Sequence, residues 1–195
     1  ESTIVEALEG AAKVVLRELG HDLTRAANVV IYASGRDYLK STGMGAWAEA
    51  SYDGAIHVPV EVARAQPGYL DAMVTHELSH HAVKQLARGR CPRWFDEGLA
   101  QVLEGDARDL GSDATLNGAL ADPARRGSLY RLAELSSSMS PTGDDARIGL
   151  AYAQALSVVK LLVDRHGMSA ITALLADLGS GSGFAAAFQS RFGKN

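Results

Sequence analysis

Apolar residues recur at helical spacing through residues 2–19 (Ile4, Val5, Leu8, Ala12, Val15, Leu19) and stop at Gly20, which predicts an opening helix with a glycine cap. The β-branched run Asn28-Val29-Val30-Ile31-Tyr32-Ala33 predicts a strand, and the polar stretch Arg36–Lys40 a brief helix. Residues 46–60 read as two strands joined by Asp53-Gly54, residue types that tolerate the positive φ angles of a tight turn. Gly54–Val60 is the return strand. Pro59 has no N–H to give a neighbour, which puts that strand at a sheet edge. From Tyr69 onward the pattern is helical, with helices near 69–88, 93–104, 146–166, 168–178 and 183–191, Gly167 ending the longest. Residues 136–145, Ser-Ser-Ser-Met-Ser-Pro-Thr-Gly-Asp-Asp, predict a loop. A sheet-bearing first part (1–66) followed by a helical part (67–195) defines an α+β chain with segregated elements.

Composition narrows the class. A chain of 195 residues is enough for a single domain over 1–195. Its 47% hydrophobic and 22% charged residues are those of an ordinary globular protein. A net charge of −4 offers no basic footprint, so no nucleic-acid partner is expected. No run approaches the roughly 18 apolar residues of a spanning helix, so no membrane segment is expected either. Cys91 is the only cysteine and forms no intrachain disulfide; a buried inert thiol is the plainer reading, a metal-blocking thiol the sharper one. Because the chain opens on Glu1 rather than methionine, an upstream signal peptide, anchor or domain is expected. The compartment stays open, with export or the bacterial cell envelope as the working expectation. Arg125-Arg126 reads as a solvated loop.

The chemistry concentrates in His76-Glu77-Leu78-Ser79-His80. On a helix, positions 76 and 80 lie about 40° apart around the axis and about 6 Å apart along it, so both imidazoles can meet one ion. Glu77 stands beside that face, placed to reach a water on the metal rather than the metal. Leu70, Val74 and Leu78 form an apolar flank and Asp71, Thr75 and Ser79 a polar strip, the signature of a real helix. The bland alternative is a histidine pair merely solvated or packed on that helix. A zinc site of this kind needs a third protein ligand and one open position. His81 points about 100° away from His80 and cannot share the ion, while the next predicted helix offers Asp96, Glu104 and, between them, a further glutamate.

That glutamate belongs to Trp94-Phe95-Asp96-Glu97-Gly98-Leu99-Ala100. The pairing of His-Glu-x-x-His with this downstream stretch resembles the gluzincins, the thermolysin-like and aminopeptidase N-like zinc peptidases. It is most similar to small bacterial gluzincin-like domains that carry Trp-x-x-Glu-Gly-Leu-Ala and a later Ala-Tyr-Ala-Gln-Ala helix. The resemblance covers roughly residues 28–190, with its specific parts at 74–82, 92–105 and 150–163. It implies a zincin-like fold, one zinc ion held by His76, His80 and Glu97, and a peptide or protein substrate. It further implies that Asp96 and Gln101 support the metal-binding histidines, Gln101 on His76, and that Tyr152 donates to the oxyanion. The strand at 54–60 would border the cleft and take an extended peptide. Tyr152 also lies in an apolar stripe with Ile148, Ala155, Val159, Leu162 and Val163, so a core role competes; His57 and His166 are substitute donors. Near Gly43-Met44-Gly45-Ala46 no Met-Glu-Asn element grips a free amine, which favours an endopeptidase over an aminopeptidase.

In that mechanism zinc lowers the pKa of its water to about 7, and Glu77 accepts the proton and passes it to the leaving amine. The competing readings are a catalytically silent zincin-fold binding module and a protease gated by a partner.

Overall fold

The computed structural model describes residues 2–21, 27–44, 50–61, 67–105, 113–139 and 144–193. In chain order the elements are α1 (Ser2–Leu19), β1 (Asn28–Tyr32), α2 (Gly35–Thr42), β2 (Ser51–Tyr52), β3 (Ala55–Pro59), α3 (Pro67–Ala87), α4 (Arg93–Glu104), α5 (Asp113–Arg125), α6 (Leu132–Ser138), α7 (Asp145–His166), α8 (Met168–Gly179) and α9 (Phe184–Phe192). Helices dominate, and the small mixed sheet near the N-terminus is consistent with an α+β zincin-like fold.

The sheet order is β1-β3-β2, so β3 is the central strand and not an edge. It runs parallel to β1, with Val30 opposite His57, and antiparallel to β2, with Ser51 opposite His57. Pro59 is tolerated there because it occupies the last rung, opposite Tyr32, where the ladder ends. Ile56 and Val58 turn into the core while His57 turns the other way. The predicted hairpin is present between β2 and β3, with Gly54 at φ 127°. Its first strand as predicted begins at residue 46, and residues 46–49 lie outside the described residues, as does part of Gly43–Ala46. Edge positions belong to β1 and β2, and β2 is the edge against α3.

Helix α3 is the centre of the helical part. Leu70, Met73, Val74, Leu78, Ala82, Val83 and Ala87 are all buried in the main core, where α1, α4 and α8 pack on α3. Of its polar strip, Thr75 and Ser79 are buried while Asp71 is exposed. Thr75 and Ser79 bond back to the carbonyls of Asp71 and Thr75, at 2.7 and 2.6 Å, and so carry no unpaired hydroxyl into the core. Two glycines set how closely the helices approach. A Cβ on Gly98 of α4 would stand 2.6 Å from the Ala155 carbonyl oxygen of α7, and one on Gly179 of α8 would collide with the Leu86 carbonyl of α3.

Helix α7 is the one described helix long and apolar enough, by length and composition, to cross a bilayer, a test that a core helix also passes. Its apolar side, including Ala151, Ala155 and Val159, is taken up by the core. Helices α5 and α6 were not expected. In α5 only Leu116 is fully buried, against Ala153 and Leu156, so its apolar spacing is too thin to read. The expected loop at 136–145 is shorter than predicted: Ser136–Ser138 finish α6, and Asp144 caps α7 by accepting from the Arg147 N–H at 3.1 Å. Residues 140–143 lie outside the described residues.

Candidate metal centre

Helices α3 and α4 run antiparallel, since the earlier histidine pairs with the later carboxylate. His76 Nδ1 donates to Glu104 Oε2 at 2.7 Å, and His80 Nδ1 donates to Asp96 Oδ1 at 2.9 Å. Each imidazole is thereby turned so that its Nε2 faces the space between the helices. The rings stand nearly perpendicular, with centroids 4.8 Å apart. Glu97 Oε2 lies 3.6 Å from His76 Nε2 and 3.6 Å from His80 Nε2.

This arrangement fits an ion. Three donors at about 2.1 Å from a tetrahedral zinc stand about 3.4 Å from one another. Ligand atoms of His76, His80 and Glu97 all fall within 4.8 Å of each other, and among the described residues this is the one such group of histidine, cysteine and carboxylate side chains. The donor set of two imidazoles and one carboxylate, each imidazole backed by a further carboxylate, suits zinc. Glu77 is 6% exposed, next to His76, and its charge acts on both His76 and the buried Tyr38 of α2.

The electrostatics match the crowding. Burial disfavours a charged His76, but its bonds to Glu104 and Glu97 outweigh that and raise it to about 10. His80 is likewise raised, burial being outweighed by Asp96 and Glu97. Burial pushes the Glu97 carboxyl up, while His80, His76 and Arg93 together hold it at about 2.

Gln101 does not contact His76 in the expected way. Its amide nitrogen donates to the backbone carbonyls of Glu97 and Tyr152, at 3.2 and 3.3 Å, and so ties α4 to α7. The His76 partner is Glu104, seven residues beyond Glu97 and therefore on nearly the same face of α4. Asp96 lies against His80. Substituting Glu104→Gln or Asp96→Asn is expected to weaken zinc binding by about 10- to 100-fold, read by competition with a chromophoric chelator. Gln101→Ala should leave that affinity within a factor of about three; an equal loss in all three variants would contradict this assignment.

The Tyr152 ring packs on the core while its hydroxyl reaches the site, 3.3 Å from an Nη of Arg93. Burial and the Glu97 charge raise its pKa, only partly offset by Arg93. Arg93 also donates from Nε to Glu97 Oε1 at 3.3 Å. Arg93 stands outside the sequence motifs, although an Arg–Glu pair four residues apart on a helix is a readable signal. The substitute donors lie elsewhere: His57 is bonded to Tyr32 and Asp53, and His166 packs on Phe192 at the far end of α7. His81 bonds Tyr52 and Gln85 and stays outside the group. Cys91 lines a cavity of about 360 Å³ with His80, Asp96, Tyr52 and Lys84, and burial pushes its thiol well above the ordinary range, the mark of an unreactive cysteine.

A histidine pair one helical turn apart, faced by a glutamate from the next helix, is a group that could hold one metal ion, the arrangement expected of a zincin-like fold. The chain belongs to the Peptidase MA superfamily, whose family model matches residues 6–195. No curated protein and no solved structure matches it.

Proposed function

We propose that this protein is a gluzincin-type zinc peptidase that hydrolyses peptide bonds, with His76, His80 and Glu97 as the metal ligands. The observation that carries the reading is the convergence of two imidazole Nε2 atoms on one Glu97 oxygen, 3.6 Å from each. When bound, zinc supplies a Lewis acid and brings the pKa of a water molecule to about 7. Glu77, buried beside His76, accepts the proton of the attacking water and delivers it to the leaving amine. The Tyr152 hydroxyl, kept protonated by burial and by the Glu97 charge, donates to the developing oxyanion. Arg93 holds the outer oxygen of Glu97, leaving the inner one for the ion. Strand β2, an edge of the described sheet beside α3, is where an extended substrate would add as a further strand.

The test is zinc stoichiometry together with cleavage of a peptide library by the zinc-loaded chain. One zinc per chain and cleavage are expected. Zinc uptake with no cleavage of any peptide would instead favour a binding module.

A pH dependence follows. With His76 raised to about 10, the metal-free site holds protons at neutral pH that an incoming ion must displace. Zinc binding should therefore release protons, and its apparent affinity should rise between about pH 6 and pH 9. Calorimetry in buffers of different ionisation enthalpy measures this directly. A pH-independent affinity with no proton release would contradict it.

A further inference from the structure

Arg93 has a geometry that the reaction above does not use up. Its Nε donates to Glu97 Oε1 and one Nη donates to the Tyr152 hydroxyl, both at 3.3 Å. These two bonds occupy the side edge of the guanidinium. Its end edge, one N–H from each Nη, has no partner among the described residues, and the side chain is 41% exposed. That pair of parallel N–H groups matches the two oxygens of a carboxylate.

Most other charges of the site are withdrawn from an incoming chain, Asp96, with 27% of its side chain exposed, being the exception. Glu77 is 6% exposed, the side chain of Glu104 is 5% exposed and that of Glu97 12%. Glu104 and Asp96 stand behind the imidazoles, on their Nδ1 side. Lys84, the cation on the other flank, shares its cavity with Asp53 and Asp96. Among the described residues Arg93 is therefore the partly exposed cation beside Glu97 that no second carboxylate takes up.

We infer that Arg93 is a specificity-determining residue that receives a substrate carboxylate on its free end edge, close to the scissile bond. The inference rests on the peptidase reading and narrows its substrate class. An oxyanion on Tyr152 and a carboxylate on Arg93 would each sit about 2.8 Å from their donors, so the two lie within about two residues of extended chain. The carboxylate can come from the C-terminus of a peptide or from an aspartate or glutamate side chain.

The experiment uses the zinc-loaded Glu77→Gln protein, so that binding is read without turnover. Three degenerate acetyl-hexapeptide pools are offered to the immobilised protein and quantified by mass spectrometry: a C-terminal acid pool, a C-terminal amide pool, and an amide pool with aspartate fixed at the fifth position. Retention of the acid pool about tenfold above the amide pool is expected, falling to within about twofold in Glu77→Gln/Arg93→Gln. The same pattern for the aspartate pool would support the inference with the side chain as the source. Equal retention of all pools, or a preference that survives Arg93→Gln, would overturn it. Retention of no pool would overturn the peptidase reading itself, and the inference with it. Zinc content is measured on each variant. Should Arg93→Gln lose its metal, Arg93→Lys keeps the charge without the fork, and an undiminished preference there would also overturn the assignment.

Discussion

Replacing Glu77 by glutamine is expected to leave zinc bound and to lower peptide hydrolysis by about three orders of magnitude, the scale of a lost general base. Glutamine keeps the shape of the side chain but cannot accept a proton. Glu77 does not belong to the His76–His80–Glu97 group, so metal content should not fall. His76 should in fact lose one of the charges that raise it, which favours its metal-binding form. Metal analysis and single-turnover cleavage on the same sample separate the two effects. Full activity in Glu77→Gln would remove the proposed proton acceptor, and loss of zinc would make Glu77 part of the metal's own support.

The second large effect is structural. Gly98→Ala places a methyl group 2.6 Å from the Ala155 carbonyl oxygen and 2.8 Å from a Val159 methyl, so α4 must back away from α7. Overpacking of this kind costs about 1–3 kcal/mol, which for a chain of this size lowers the melting temperature by several degrees. The shift also moves Glu97, the adjacent residue, so zinc affinity should fall with stability. Gly118→Ala is the internal contrast. It lies on the exposed side of α5 with open space around it, and removing a helical glycine there should raise stability by about 0.5–1 kcal/mol. Calorimetric melting of the three proteins decides the matter; an unchanged melting temperature in Gly98→Ala would mean that the helix contact is not tight.

What could be read in the chain was what a single helix or turn encodes. His76 and His80 face one direction because four residues make about one turn, and that holds wherever the helix is placed. Asp53-Gly54 made its hairpin for an equally local reason. What failed depended on partners distant in sequence. β3 was read as an edge because Pro59 lacks an N–H, yet the parallel partner that makes it central is β1, and nothing in residues 55–59 names that partner. Gln101 and Glu104 lie within about 60° of each other on α4, so helix geometry alone could not say which one turns to His76. Helix α7 decides it, because the Tyr152 carbonyl takes the Gln101 amide and leaves Glu104 for the histidine. Tyr152 divided two readings that the fold does not keep apart, since its ring is core and its hydroxyl is site.

Helix α1 precedes the sheet in the chain, yet it packs on α3 and buries Ile4, Ala7, Ala11, Val15 and Leu19. A fragment cut to begin at β1 would leave an oily stripe open along the rod that carries both histidines. Anyone trimming this protein for crystals or screening should therefore keep everything from Ile4 onward, even though the chemistry starts some seventy residues later.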